Sequence, residues 1–307
     1  MTRKTLTLLM LLALYISVSA QTLLVGTYNI RNNHNDDAAH GNGWQQRCPR
    51  ICGQVRFEEP DIFGTQEGYI EQLTDMKAQL PGYDFIGVAR EDGKQNGEYS
   101  AIFYHTGRLQ LLEQGNFWLS TTPDVPSKGW DAACTRICTW GKFAEKAGEH
   151  RTFYFFNLHM DHVGKVARRE AARLVMQKIH ALHEPNPNVI LTGDFNVDQK
   201  DEIYTIFTQS GLLNDAYIVA SDKFAENGTY NAYNPDLKTD SRIDHIFVTR
   251  NFLVKHYAVM TNCYWSEVPC DDTLLHSANA PKEVSLMRYE RRLPSDHYPV
   301  WAKLGWQ

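Results

Sequence analysis

The stretch Asn188–Asp198, NVILTGDFNVD, decides how this chain is read. Val189, Ile190 and Leu191 form a short continuous apolar run, which suits a strand buried on both faces. The run ends in polar chemistry. Gly193 permits close backbone approach or a dihedral other residues avoid. Residues two apart on a strand point the same way, so Asp194 and Asn196 can face one spot just past the strand end. A carboxylate beside a carboxamide suits a water molecule or a metal ion; the same pair also suits an Asx turn that closes a strand. The rest of the chain has to choose between these readings.

Other strand-like segments end in the same way. LLVGTYNI, from Leu23, delivers Asn29, and DIFGTQE delivers Glu67. RTFYFFNLHM delivers His159, RIDHIFV opens with Asp244, and the final strand YPVWAKL is preceded by Ser295, Asp296 and His297. SAIFYH and ICTWGKF are further strands. Between them, amphipathic helices are expected from near Gly43, over a short stretch with Ile70, Leu73, Met76 and Leu80 on one face, and around Glu202 to Gln209. A longer one runs from about Lys165 to Leu182, with Val166, Leu174, Ile179 and Leu182 on its apolar side and Arg168, Arg169 and Glu170 on its wet side. Strands mixed with helices predict an α+β fold: two sheets packed face to face, with helices outside.

Composition narrows the function classes. At 307 residues, with no internal repeat, low-complexity tract or Pro/Gly-rich hinge, the chain reads as one folded unit behind a leader. Residues 1–20 place Arg3 and Lys4 before an apolar run ending in Val18, Ser19 and Ala20, the pattern of a cleavable signal peptide, which leaves 21–307 as the exported domain, periplasmic or extracellular. The run is shorter than the roughly 20 apolar residues of a membrane span, so stable membrane insertion is not expected. Loss of Arg3 and Lys4 takes the formal charge from −5 to −7, which leaves no broad basic footprint for a long nucleic acid. Of six cysteines, Cys48 and Cys52 share a helical face with Trp44, Ile51 and Val55 and read as core, whereas Cys263 and Cys270 are spaced to close a loop. Cys134 and Cys138 complete the set, and none of these spacings matches a paired zinc motif.

The ordered set TYNIR, GTQE, FNLHMDH, LTGDFN, SRIDHIF and PSDHYPV resembles the endonuclease/exonuclease/phosphatase superfamily, the DNase I-like fold, from about residue 23 to the end. NGWQQR, GEYSAIFY and FWLSTTPDVPSKGWDAACTRICTW are similar to a bacterial branch of it, which also resembles carbon-catabolite-repressor-type 3′-exonucleases. The resemblance implies a four-layer α/β/β/α sandwich, one cleft at the strand ends, and hydrolysis of a phosphate ester with Mg²⁺, for which Mn²⁺ can substitute. It implies that Glu67 and Asn29 hold the metal with Asp296 completing the acidic cluster, that Asp194 orients or deprotonates the attacking water, and that Asn196 holds water or a phosphoryl oxygen. His297 backed by Asp244 serves as base or cationic donor, since a carboxylate fixes the tautomer and raises the pKa. His159 donates to a phosphoryl oxygen, with Glu98 as its carboxylate partner. Arg136 is either a surface arginine or a phosphate clamp. Asp161 and His162 are expected to cap the following helix, and Tyr104 to pack.

Two departures bear on substrate. DNase I carries a tyrosine two residues before the glutamate matching Glu98, where this chain has Asn96, so duplex-groove contact is not supported. The segment from Cys263 to Pro294, with Tyr264, Trp265, Arg288, Arg291 and Arg292, is either a surface excursion or a substrate rim. The expected activity is hydrolysis of a small phosphorylated or phosphodiester substrate by a monomer; the alternative is a 3′–5′ exonuclease on short single-stranded RNA or DNA. A binding protein on the same scaffold would have lost a charged site residue, and none is lost. A zinc or iron hydrolase would need an HxH or HExxH pair, which the twelve histidines do not supply.

Overall fold

The computed structural model describes residues 22–267, 279–284 and 286–307. The leader and Cys270, and with it the expected Cys263 closure, lie outside the described residues. The strands in chain order are β1 (Thr22–Asn29), β2 (Ile62–Gln66), β3 (Tyr83–Ile86), β4 (Ile102–His105) and β5 (Leu109–Trp118). Then come β6 (Ile137–Glu145), β7 (Thr152–His159), β8 (Val189–Asp194), β9 (Leu213–Asp215) and β10 (Asp222–Phe224). The last are β11 (Asp244–Thr249), β12 (Phe252–Val259), β13 (Tyr264–Glu267), β14 (Tyr289–Arg292) and β15 (Val300–Trp306). One sheet has the order β10-β12-β15-β1-β2-β4-β3, the other β5-β6-β7-β8-β11-β9, and β13 pairs with β14 as a separate hairpin. Both large sheets are mixed: β1–β2 and β7–β8 run parallel, while β1–β15 and β8–β11 are antiparallel.

Strand alternation sets the layers. Along β7, Phe153 and Phe155 join the core between the sheets, whereas Tyr154, Phe156 and Leu158 join a second core with Ala171, Val175 and Ile179 of the helix Lys165–His180. The same parity holds in β8, with Ile190 inward and Val189 and Leu191 outward, and in β11, with Ile246 and Val248 inward and Phe247 outward. On the other sheet, Phe63, Phe103 and Trp301 face Cys48, Ile51, Cys52 and Val55 of the helix Trp44–Glu58 and Leu73 and Met76 of the helix Ile70–Gln79. Two sheets with helices on both outer faces make the expected four layers.

Several local expectations change. The apolar stripe of Lys165–His180 runs through Ala167, Ala171, Ala172, Val175, Met176 and Ile179, and Val166 is 42% exposed. Small alanines carry the contact because the helix sits close to the aromatic outer face of β7. Asp161 does not cap that helix. Its carboxylate accepts backbone N–H groups from Ala133 and Cys134 across the loop and from Val163 and Gly164 in its own turn. The helix start is satisfied instead by Asp131, which accepts from Val166 and Ala167. His162 turns to Arg136, with Nδ1 2.9 Å from Nη2. Strands β3, β5, β9, β10 and β12 and the β13–β14 pair were not singled out from the sequence.

The interface between the sheets becomes polar toward one end. Gln66 Nε2 donates to Thr27 Oγ1 and to Asn157 Oδ1, and Asn157 Nδ2 donates to the Thr65 and Ala101 carbonyls. Thr192 Oγ1 donates to the Phe156 carbonyl. Gly64 sits against this ladder, where a Cβ would lie 2.2 Å from Asn157 Oδ1. Gly193 adopts φ +153°, and a Cβ there would lie 2.2 Å from the Leu158 carbonyl oxygen, so both uses of glycine anticipated for it apply. Gly193→Ala should therefore cost about 2–3 kcal/mol of stability, combining dihedral strain with a backbone clash. Urea denaturation reads this directly, and a loss below about 0.5 kcal/mol, the scale of an ordinary surface substitution, would contradict it.

Candidate active site

The inward parity of the strands carries through to their ends. Asn29 continues Val25 and Thr27, His159 continues Phe155 and Asn157, Asp194 continues Ile190 and Thr192, and Asp244 leads into Ile246 and Val248. The hydrophobic interior of the sandwich thus opens into a polar mouth. Register brings these residues side by side, since Asp194 is the Cα partner of both His159 on β7 and Asp244 on β11. Glu67 follows the inward Gln66 and would point outward in regular strand geometry. It adopts φ +68° instead, and Arg31 and Asn196 at the same mouth adopt φ +56° and +48°. Left-handed backbone at non-glycine residues is strained, and here it re-aims side chains into one cleft.

The hydrogen bonds tie the two sheets together at that point. Asn29 Nδ2 donates to Glu67 Oε1 (2.9 Å) and to Asp194 Oδ2 (3.0 Å). Asp194 Oδ1 accepts the Asn196 backbone N–H at 2.9 Å, an Asx bond, so one carboxylate oxygen closes the GDFN turn while the residue lines the cleft. Asn196 Nδ2 lies 3.2 Å from His159 Nε2 and donates to the Met160 carbonyl. Asp244 Oδ2 is 2.9 Å from His297 Nδ1, and His297 Nε2 is 3.8 Å from Asp194 Oδ2. Ser295 Oγ donates to the Asn29 carbonyl, fixing the segment that carries Asp296 and His297 against β1.

Charge of both signs is crowded at this mouth. Burial, reinforced by the Asp244 carboxylate, pushes Asp194 up to about 7. Burial and then the Glu67 carboxylate raise Asp296, against the pull of His297. Burial alone would neutralise His297, but Asp244 and Asp194 outweigh it and hold the imidazolium well above the usual histidine range. His159 goes the other way: burial, with Arg136 and Arg90 adding, keeps it neutral, and its Nδ1 is buried without a partner. Arg31 lies 3.8 Å from both Glu67 and Asp296, too far to hydrogen-bond either, and is paired instead with Asp37 at 2.9 Å. Glu67 and Asp194 form with His159 one group whose ligand atoms lie within 4.8 Å of one another, and Asp296 faces the same cleft; these hard carboxylate oxygens fit an oxygen-seeking divalent cation.

The cleft has a volume of ≈ 380 Å³. Glu67, Glu98, Arg136, His159, Asp194, Asn196, Asp296 and His297, all expected at the site from sequence, line it, while Asn29 and Asp244 stand behind, holding liners in place. Arg136 is no surface arginine: it is buried, with Nε 3.4 Å from Asp161 and Nη1 unpartnered. Glu98 is not the partner of His159. It accepts from Arg90 Nη1 (2.6 Å) and from Asn32 Nδ2, because the loop carrying Arg90 folds across it. Sequence reasoning missed Arg31, Asn32, Arg90, Cys134, His162, Tyr230 and Ile243 as lining residues. It also missed Arg47, fully buried beneath the cleft, which donates to the carbonyls of Ile30, Arg31, Asn32, Asn42 and Pro294. The described part of the 263–294 segment packs beside this region rather than over it: Arg292 donates to the His40 carbonyl, Arg291 pairs with Asp236, and Arg50 stacks on Tyr264.

Among known proteins, a mannosyl-6-phosphatase of Bacteroides thetaiotaomicron is 50% identical, with 92% of this chain and 99% of that one covered and a TM-score of 0.83. An endonuclease/exonuclease/phosphatase family protein from the same organism is 49% identical, with 94% and 98% covered and a TM-score of 0.85. The 3′–5′-exoribonuclease subunit of the CCR4-Not complex of Debaryomyces hansenii is 21% identical over 238 residues, covering 66% of this chain, which spans only 28% of that subunit's length. A model of the endonuclease/exonuclease/phosphatase family matches residues 26–297, the stretch that holds every strand end described above, and the chain belongs to that family of phosphoester hydrolases.

Proposed function

We propose that the protein is a Mg²⁺-dependent phosphomonoesterase acting on a phosphorylated sugar, with mannose 6-phosphate as the first candidate. The observation that carries the reading is the likeness, over nearly the full length of both chains, to a mannosyl-6-phosphatase. The cleft agrees with it, since ≈ 380 Å³ is at the small end of the range for small-molecule sites.

Glu67 and Asp296, with the Asp194 carboxylate adjoining, are the residues that would hold the ion; Asn29, expected among the ligands, instead donates through Nδ2 to Glu67 and Asp194 and accepts the Arg31 N–H on Oδ1, so it holds the carboxylates in place. Bound there, Mg²⁺ supplies neutralisation of phosphoryl charge and acidification of water. The chain's own residues do the rest. Asp194, fixed through one oxygen by its own turn, accepts a hydrogen bond from the attacking water and orients it. His297, kept charged by Asp244, presents its Nε2–H to the phosphoryl group and stabilises the charge that grows there. The unpartnered Nη1 of Arg136 supplies a further donor to phosphoryl oxygens, while Asn196 Nδ2, held by the Met160 carbonyl, fixes the His159 ring beside it. The loop tie of Arg136 to Asp161 and His162 holds its fork in place. The leader-like residues 1–20 support export, which mass analysis of the secreted protein would test by the presence of an N-terminus at Gln21.

A substrate panel separates sugar phosphatase from nuclease. Protein assayed with Mg²⁺ is expected to release phosphate from mannose 6-phosphate with a kcat/KM at least about 10²-fold above its rate on single-stranded RNA or DNA, a margin of roughly 2.7 kcal/mol in transition-state binding. Preference for the oligonucleotides by a similar margin would make the nuclease reading the right one.

A further inference from the structure

A second cavity, ≈ 310 Å³, opens against the charged cleft, and Tyr230 and Ile243 line both. Its other walls are Ala232, Leu237, Lys238, Thr239 and Ser241 with Asn231, so it is mainly apolar where the cleft is charged. The wall is built onto the site. Residues Tyr230 and His297 form a β-bridge, Asn231 N–H donates to the Asp296 carbonyl, and Tyr298 N–H donates to the Thr229 carbonyl. Thr229 Oγ1 accepts from the N–H groups of Ile243 and Asp244. The segment 229–231 is thus welded between the two stretches that deliver Asp244 and His297. Ala232 and Tyr233 then turn away through left-handed backbone, φ +52° and +58°, leaving the Tyr230 ring 45% exposed with its edge against His297, centroids 5.1 Å apart. Leu237, 56% exposed, stands across from it on a loop held by Asn227, which donates to the Leu237 carbonyl and accepts from the Thr239 N–H.

A charged pocket joined to an apolar one suits a molecule of the same two parts. We propose that Tyr230, with Ile243 and Leu237, is the seat of the ester's alcohol portion: a pyranose ring lays its C–H face on the Tyr230 ring while its phosphoryl group enters the cleft. The inference rests on the phosphomonoesterase reading. The partial positive charge of ring C–H groups matches the negative face of an aromatic ring, and the rigid mounting of the tyrosine costs little ordering on binding. Tyr230 is then a specificity-determining residue, acting on which alcohol is accepted rather than on the chemistry at phosphorus.

The test compares kcat/KM for mannose 6-phosphate and for glycerol 3-phosphate, which carries the same phosphoryl group on a chain with no ring. In Tyr230→Ala the ratio of the two should fall about tenfold, the scale of an aromatic stacking contact, and in Tyr230→Phe it should stay within about threefold of the parent. Leu237→Ala should lower it in the same direction by less. An unchanged ratio in Tyr230→Ala would overturn the proposal, because the ring would then serve only to position His297. A binding arm keeps the two readings apart: saturation-transfer NMR with methyl α-mannoside, which has no phosphate, should show contact in the parent and in Tyr230→Phe and none in Tyr230→Ala. If neither ester is hydrolysed but this pattern holds, the seat stands and the phosphomonoesterase reading falls. If the parent shows no contact with the glycoside, the seat is wrong.

Discussion

Replacing Asp194 by asparagine is expected to lower kcat about 10²–10⁴-fold, the usual range for a positioned acid–base or electrostatic group. The side chain keeps its size, but its amide offers one acceptor where Asn29 Nδ2 and the Asn196 N–H need two, so a donor meets one of them, and it no longer attracts a proton from water. Folding should survive, because burial already disfavours the charge on Asp194 and removing it relieves repulsion with Asp244. His297 needs a different substitution. His297→Ala would strand the fully buried Asp244 carboxylate, whose Oδ1 already lacks a partner, and breaking a buried pair this way costs about 3–5 kcal/mol. His297→Asn keeps an N–H at the Nδ1 position for Asp244 and loses the imidazolium and its Nε2–H, so it reports on turnover. If both residues serve one step, the double variant Asp194→Asn/His297→Asn loses less than the product of the single losses. Losses that multiply would mean that the two act in separate steps, and Asp194→Asn retaining more than a tenth of parental activity would show that Asp194 does not orient the attacking water.

A stability effect of the same size is expected at Arg47. One buried guanidinium serves the carbonyls of Ile30, Arg31, Asn32, Asn42 and Pro294, so it fixes both the loop after β1 and the chain entering the Ser295–His297 segment. Arg47→Met fills most of the volume but leaves those acceptors without donors, and unmade bonds of buried groups cost about 1–3 kcal/mol each before relaxation. A loss of about 3–5 kcal/mol in chemical denaturation is the expected result, with a smaller loss for Arg47→Lys, whose point charge cannot span the same fork. A loss under about 1 kcal/mol in Arg47→Met, the average for a point substitution, would show that the fork is not what holds these segments.

Much of the site was legible because the fold writes it into strand periodicity. A sandwich interior requires alternating apolar residues, and when that alternation runs out into Asn29, His159, Asp194 and Asp244, the polar residues inherit the inward direction. Glu67 was legible by its residue type, although only its left-handed backbone explains how it reaches the cleft. What remained hidden depends on loops. Arg90, Asn32 and Tyr230 reach the site through connections whose course no periodicity encodes, and the same loops gave Glu98 to Arg90 instead of to His159. Arg47 carried one signal: it falls three residues after Trp44 and one before Cys48, inside the buried stripe of its helix, where an unpaired surface arginine would not sit. The helix Lys165–His180 misled because large aliphatic residues drew attention to Val166, while close packing on β7 had selected alanines.

Which bond of the ester breaks, and whether a divalent ion is needed to break it, can be read in one reaction. Hydrolysis of mannose 6-phosphate in ¹⁸O-labelled water, followed by mass analysis of both products, reads the first, and the same reaction after chelation reads the second. Attack of a water oriented at Asp194 on phosphorus predicts one labelled oxygen in the released phosphate, none at O6 of mannose, whose anomeric oxygen exchanges with water by itself, and loss of turnover in chelator that Mg²⁺ restores. Label at O6, or full turnover in chelator, would contradict it.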